Sequence, residues 1–337
     1  MTTVRRWPFR APPRTATHER REPAAFSVVI AARNAAGTIG EAIESVLAQT
    51  IAPTELIVSD DGSTDAIGKA LRPYSHRLRY LRSAVPRGVA AARNAALAVA
   101  TGEFFAVLDA DDAFLPQRLE ALGELALTRP DLDILCTDAL LEVDTEVVGR
   151  FEEECTFAID AQREAILERC FCAWPAVRRT VLIGAGGFDE SLRTGSDWDC
   201  ALRLIFAGAR AGLVDQPLYR YRVHDKSLTA DRVRTLQDRL TFLRRAESAF
   251  ELTGGEWDAL QRSLSRQRRA LVLTAAEAAL RARSVEARRN ALAVARSSDV
   301  DIRSRVLALA AAAAPRAAAR VLERNPRSRL ARSVPKV

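Results

Sequence analysis

Glu103-Phe-Phe-Ala-Val-Leu-Asp-Ala-Asp-Asp112 is an apolar run of strand length that ends in three carboxylates within four positions. Phe104 to Leu108 are apolar without a break, and Thr101-Gly102 interrupts the chain just before them, so the segment reads as a strand buried on both faces. Upstream, the same construction recurs. Phe26-Ser-Val-Val-Ile-Ala31 is a short β-rich run, followed by Ile39, Ala42, Ile43, Val46 and Leu47 at helical spacing. Glu55-Leu-Ile-Val-Ser59 is a second buried-type strand, ending in the turn cluster Asp60-Asp-Gly-Ser-Thr-Asp65, and a helix is expected from about Gly88 to Ala100. Strand, helix, strand in succession implies parallel pairing with crossover helices on the sheet faces, hence an open α/β sheet. Ligands of such sheets gather at the C-terminal ends of the strands. The acidic turns at 60–65 and 109–112 should therefore face one crevice.

The chain has 337 residues, 48% of them hydrophobic, enough for a sizeable core and for two domains or one domain with an extension. Its net charge of +7 rests almost wholly on arginine, which favours anionic substrates, phosphates or an acidic membrane surface. Nucleic acid is not expected, because no aromatic residues interleave a dense basic stripe and no zinc-finger or basic-helix spacing occurs. Cys136, Cys155, Cys170, Cys172 and Cys200 form an odd set without a C-x-x-C pair, arguing against a disulfide framework and a zinc site and for a reducing cytoplasm. The N-terminus lacks the apolar centre of a signal peptide, and no apolar run reaches the roughly 18 residues of a membrane span.

Three segments follow. Residues 1–24, interrupted by Pro12, Pro13 and Pro23, read as a disordered basic arm. Residues 25–228 form the α/β domain. From 229 to 337 the pattern changes to Arg, Ala and Leu at helical spacing, broken near Gly254-Gly255, Pro315 and Pro326, and reads as an α-helical extension. Its last stretch, from Arg303, suits either a helical hairpin with a solvated basic face or an interfacial helix on anionic lipid; a cytoplasmic protein peripheral at the inner face of a membrane is the expectation.

The cluster Asp109-Ala110-Asp111-Asp112 carries the chemistry. Two carboxylates one residue apart can hold a hard divalent cation, Mg²⁺ or Mn²⁺, that also touches a diphosphate. The plainer alternative is an Asp-rich turn that caps a helix over Leu115 to Leu125.

With that cluster placed, Ser27-Val-Val-Ile-Ala-Ala-Arg-Asn34, Asp60-Asp-Gly-Ser-Thr-Asp65, Gly88 through Asn94 and Leu108-Asp-Ala-Asp-Asp112 occur in the order and spacing of family 2 glycosyltransferases, which the chain resembles. The likeness continues through Gly186-Gly-Phe-Asp-Glu190, Ser196-Asp-Trp-Asp199 and Tyr219-Arg-Tyr-Arg-Val-His224, and covers about residues 25 to 228. It implies the GT-A fold, a Rossmann-like, mostly parallel sheet flanked by helices, and an inverting transfer of a sugar from a nucleotide-sugar donor, a UDP-sugar or another NDP-sugar, to a saccharide or lipid-linked acceptor in surface polysaccharide, cell-wall or glycolipid assembly. By the same resemblance Asp60 or Asp61 binds base and ribose, while Ala31, Arg33 and Asn34 line that pocket. Gly88, Arg93, Asn94, Asp109 and Ala110 fall on the donor side, with Arg93 approaching phosphate or ordering the Asp cluster. Asp111, with Asp109 and His224, holds the metal. Gly187, Phe188 and Trp198 fall on the acceptor side, and Asp197 is the general base.

Two departures from the family pattern stand out: Ser196 where an acidic residue is common, and Ala31 where proline is frequent. A bland reading of Asp197 and Asp199 is that they follow a Ser196 N-cap and complement a helix dipole. Two other functions were weighed. A nucleotide-sugar-binding scaffold without turnover would keep the same fold. A phosphohydrolase with Asp109 as nucleophile would need a lysine partner, and Lys69, Lys226 and Lys336 all lack suitable context.

Overall fold

The computed structural model describes residues 23–224, 231–282, 286–298, 300 and 302–318, so the arm expected at the N-terminus lies outside the described residues as far as Glu22. The chain divides into two units, one ending at Val223 and the other beginning at His224. The strands of the first unit are β1 (Phe26–Ala32), β2 (Glu55–Asp60), β3 (Arg79–Arg82), β4 (Phe104–Asp109), β5 (Ala113–Phe114), β6 (Ile134–Val143), β7 (Glu146–Arg150), β8 (Ala176–Arg178) and β9 (Ala211–Val223). Its helices are α1 (Ile39–Leu47), α2 (Ile67–Leu71), α3 (Val89–Leu97), α4 (Arg118–Thr128), α5 (Phe151–Glu154), α6 (Gln162–Glu168), α7 (Arg179–Gly184) and α8 (Ser196–Phe206).

The strands form one sheet in the order β3-β2-β1-β4-β8-β6-β9-β5, with β7 paired to β6. Every residue of β1 is buried, as a central parallel strand covered by helices on both faces must be. Parallel register sets Ala31 beside Ser59 on one side and Asp109 on the other, and Ala32 beside Asp60. Both acidic turns thus emerge along one sheet edge. Beyond β4 the sheet is mixed: β8 runs antiparallel to β4 and to β6, while β6 and β9 pair in parallel over a long, bulged register.

The helix expected from Leu115 starts later, at Arg118. Leu115 N–H donates to Leu218 C=O at 2.9 Å, and Ala113 and Phe114 pair with Arg220 and Tyr219, so the chain first adds a short strand to β9. The N-cap of α4 is Gln117, and none of the three aspartates caps it. Arg118 itself is fully buried. It donates to Thr137 Oγ1 and, at 2.6 Å, to the Trp174 carbonyl, and its guanidinium lies 4.7 Å from the Phe114 ring centroid and 5.0 Å from that of Tyr219. Trp174 has φ +44°, a backbone conformation a bulky residue adopts only under strain.

At the other end of the sheet a clasp joins three segments. Gly102 N–H donates to Ser27 Oγ at 2.8 Å, and Ser27 Oγ–H donates to Glu55 Oε1 at 2.7 Å. That same oxygen accepts from Thr101 N–H at 2.6 Å. Burial pushes the Glu55 carboxyl upward, but these hydrogen bonds outweigh it and leave the pKa lowered. A Cβ on Gly102 would stand 2.5 Å from Ser27 N, against backbone that cannot swing aside. Gly102→Ala should therefore lower stability by about 1–3 kcal/mol, read as a lower denaturant midpoint; an unchanged midpoint would show that the clasp yields freely.

The second unit is helical: α9 (Arg232–Ala249), α10 (Gly254–Arg281), α11 (Ala287–Arg296) and α12 (Ile302–Ala313). Gly254-Gly255, expected as a break, opens α10. Thr253 and Glu256 form a reciprocal capping box ahead of it, with Thr253 N–H donating to Glu256 Oε2 at 2.8 Å. The core is built largely from small residues, with Ala276, Val294, Ala295, Val300 and Ala308 in one cluster, which lets the helices approach closely.

Candidate active site

Asp60 closes β2 with its carboxylate fully enclosed. Ser63 N–H donates to Oδ1 at 2.8 Å and Tyr80 O–H to Oδ2 at 2.6 Å, with Arg82 Nε 3.7 Å away. Burial raises the Asp60 pKa, the hydrogen bonds lower it, and the net shift is downward, while burial and Asp60 push the Tyr80 phenol up to about 12. Asp61 accepts from the backbone N–H groups of Arg87 at 2.6 Å and Gly88 at 2.8 Å, one on each oxygen. Between them Gly62, at φ +65°, lets the 85–86 backbone come so near that a Cβ would lie 2.8 Å from Pro86 N. The sequence reading gave Asp60 or Asp61 to the nucleotide. Both carboxylates are buried and committed to protein donors, Asp60 to Ser63 and Tyr80 and Asp61 to the 87–88 backbone, so both shape the wall of the turn.

Asn34, at φ +52°, knits the end of β1 to the same turn: its N–H donates to Ser63 Oγ at 2.9 Å and its Oδ1 accepts from Thr64 N–H at 2.8 Å. Ala31 is buried beneath it and Arg33 is exposed.

At the end of β4, Asp109 Oδ1 lies 2.7 Å from Arg93 Nη2. Ala110 is buried and Asp111 half-buried. Asp112 is buried and anchors the turn to β9, accepting from Tyr219 O–H at 2.7 Å and from Arg222 N–H at 2.8 Å. Burial, with Asp109 and Asp111 close by, raises its pKa well above the usual carboxylate range. The three aspartates therefore divide: Asp112 builds the turn and Asp109 and Asp111 are left to offer hard oxygen ligands. Among the described residues no group of three His, Cys, Asp or Glu side chains stands ready around a metal, so the set Asp109, Asp111 and His224 is not preformed. His224 is exposed directly after β9. Two carboxylates nonetheless fit Mg²⁺ or Mn²⁺, which commonly complete their shell with substrate phosphates and water.

Arg93, on α3, is buried between acids. Burial opposes its charge, yet Asp109 and Asp197 more than offset that and its pKa is raised. Its guanidinium lies 5.4 Å from the Phe188 ring centroid, and its Nε–H has no protein acceptor. Arg93, Phe188, Trp174 and Asp197 share one small, largely apolar cavity of ≈ 30 Å³.

The two aspartates of α8 differ sharply. Gly195, at φ +69°, is the N-cap, so Ser196 is the first helical residue and not the cap expected from sequence. Asp197 is exposed at the crevice. Asp199 is buried and pairs with Arg203 at 2.8 Å, whose other nitrogens donate to the carbonyls of Ala185 at 2.5 Å and Gly187 at 2.7 Å. Asn94 grips the same turn from the opposite side, donating to Phe188 C=O at 2.8 Å and accepting from Phe188 N–H at 2.9 Å. Gly187 is required there, since a Cβ would fall 2.5 Å from Asn94 Oδ1. Asn94 thus positions the turn and is not a donor contact. Trp198 also needs correction: it is 2% exposed, with its indole N–H donating to Ile166 C=O at 2.7 Å, so it is a core residue with no surface for an acceptor.

Sequence reasoning missed Tyr80, Arg118, Trp174 and the anchoring role of Tyr219 and Arg222. The alternation Tyr219-Arg-Tyr-Arg222 was a usable signal for the last two, because period 2 on a strand separates aromatic from charged side chains.

The sequence profile of Glycosyl transferase family 2 matches residues 27–182. The succinoglycan biosynthesis protein ExoU of Rhizobium meliloti (strain 1021) is 33% identical over 226 residues, 61% of this chain and 64% of that protein. The UDP-Glc:alpha-D-GlcNAc-diphosphoundecaprenol beta-1,3-glucosyltransferase WfgD of Escherichia coli is 35% identical over 126 residues, 37% of this chain and 49% of that one. The chain thus spans less than two thirds of the length of these relatives. In fold it is similar to S. aureus TarS 1-349 in complex with UDP-GlcNAc, with TM-score 0.60, 18% identity and coverage of 90% of this chain and 92% of that one. It is also similar to the mannosyltransferase PcManGT from Pyrobaculum calidifontis in complex with GDP-Man and Mn2+, with TM-score 0.56, 22% identity and coverage of 89% and 87%.

Proposed function

Because the sequence matches glycosyl transferase family 2 over residues 27–182, we propose that its strand-end crevice transfers a sugar from a nucleoside diphosphate donor to an acceptor hydroxyl in polysaccharide assembly, with inversion at the anomeric carbon. One observation carries this reading: parallel register brings the ends of β1, β2 and β4 together, and Arg93 bridges from Asp109 toward Asp197. The base and ribose would lie against the 31–34 and 60–63 turns. A UDP-linked donor is the specific choice, supported by the UDP-GlcNAc complex of TarS and the UDP-Glc in the name of WfgD. A saccharide or lipid-linked acceptor is supported by the diphosphoundecaprenol in that same name.

In the reaction, the acceptor oxygen attacks the anomeric carbon as the bond from that carbon to the diphosphate oxygen breaks. The acceptor proton passes to Asp197, and the electron pair of the broken bond leaves on the nucleoside diphosphate. Phe188 and the carbonyl-anchored 185–188 turn keep the Asp197 side of the crevice dry and fixed, and Arg93 holds the Asp109 carboxylate in place. Asp109 and Asp111 would hold Mn²⁺ or Mg²⁺, which when bound neutralises charge on the leaving diphosphate.

A panel of nucleotide sugars assayed by thermal shift, followed by NMR of the anomeric configuration of the product, tests the reading; no donor binding, or a retained configuration, overturns it. EDTA treatment should abolish turnover and Mn²⁺ should restore it, because two carboxylates and a diphosphate repel one another without a cation between them. Full activity of stripped protein would remove the metal from the mechanism.

A further inference from the structure

α12 turns an apolar stripe outward. Ile302 is 77% exposed, Val306 58% and Leu309 53%, at the i, i+4, i+7 spacing that places side chains on one helix face, and Leu307 beside them is 64% exposed. The flank beside the stripe is packed: Ala308 and Ala312 are buried, Ala308 within the cluster formed with Val294 and Ala295 of α11. The stripe is therefore not the face that holds the helical unit together. Leaving three branched side chains in water is a cost that a soluble surface avoids by placing polar residues there.

The surroundings of the stripe indicate what covers it. From Gln261 to Val337 the sequence carries 18 Arg and Lys against 5 Asp and Glu, a net +13 in a chain whose total is +7. The remainder of the protein is thus net acidic, and the positive charge is concentrated in the part of the sequence that contains α12. α11, packed on α12, exposes Arg288, Arg289 and Arg296, and Arg316 is exposed just past the end of α12. An apolar stripe set among arginines matches a surface that is apolar within and anionic at its boundary. A protein partner would need an acidic rim around an apolar groove; a leaflet of anionic phospholipid supplies both over its whole area.

We propose that α12 is an interfacial helix, which seats Ile302, Val306 and Leu309 among the acyl chains of an anionic membrane while Arg288, Arg289 and Arg296 of α11 and Arg316 engage the lipid phosphates. It lies flat on the surface and does not cross it; among the described residues no helix is long and apolar enough to span a bilayer.

The full chain, centrifuged with sucrose-loaded vesicles of equal parts phosphatidylglycerol and phosphatidylcholine, should sediment with them. It should sediment less with pure phosphatidylcholine, and added salt should release it. The double variant Val306→Glu/Leu309→Glu should lower the partition coefficient by about 100-fold or more, roughly tenfold for each side chain withdrawn from the acyl region. Arg288→Glu/Arg289→Glu should remove the preference for phosphatidylglycerol while leaving the melting temperature unchanged. If the glutamate variant melts lower than the parent, Val306→Ser/Leu309→Ser takes its place. Parent protein that stays in the supernatant, or a stripe variant that sediments like the parent, overturns the proposal. So does a parent dimer, measured by light scattering, that the stripe variant converts to monomer without any vesicle binding in either protein; that outcome makes the stripe a self-association surface. Donor binding is not a readout here, so the result stands apart from the fate of the transferase reading.

Discussion

Asp197→Asn should lower the transfer rate by about 10²- to 10⁴-fold while melting temperature and donor affinity stay at parent values. The side chain is exposed on the second residue of α8 and lines the same cavity as Arg93, whose buried charge keeps its ion pair with Asp109 when Asp197 is made neutral. An amide of the same shape keeps the packing and cannot take the acceptor proton. Rate and donor affinity are measured separately, the first by single-turnover transfer and the second by thermal shift against donor concentration. A variant with parent rate would place the base elsewhere.

Asp199→Asn, two residues on, should give the opposite profile: a loss of about 3–5 kcal/mol in stability, because Arg203 loses its buried ion pair with Asp199. The asparagine can still accept a hydrogen bond, but it cannot balance a guanidinium that is 6% exposed and already committed to the Ala185 and Gly187 carbonyls. Any fall in rate should follow from loosening of that turn, and conditions that restore folding should restore most of it. Parent melting behaviour combined with a dead enzyme would exchange the roles of the two aspartates.

That contrast also measures how far the sequence could be read. Strands β1, β2 and β4 were legible because buried parallel strands are apolar without alternation, and their acidic ends marked the crevice before any pairing was known. The mixed half of the sheet was not, since β8 has only three residues and β6 and β9 pair across more than seventy intervening positions. Within the site, the motif order identified the strand-end carboxylates Asp109 and Asp111 and the helix residue Asp197 as candidates. Trp198 is a core residue because a motif gives the residue and its order, whereas what its polar atoms face depends on segments that close from distant sequence, here the Ile166 carbonyl. Gly195 took the cap from Ser196 because only the backbone angle, φ +69°, decides it.

The isolated Arg118 limits which substitutions this fold can accept. No carboxylate pairs with it among the described residues, and burial lowers its pKa to about 10, still far enough above neutrality to keep it charged. A lysine at this place would begin near 10.4 and, under a comparable shift, would approach neutrality; it would also bring three tetrahedral donors where a planar fork reaches Thr137 and Trp174 and lies between two rings. The usual exchange of one basic residue for the other is thus closed at position 118. The Trp174 carbonyl, on a residue at φ +44°, would lose its Arg118 donor in the same exchange.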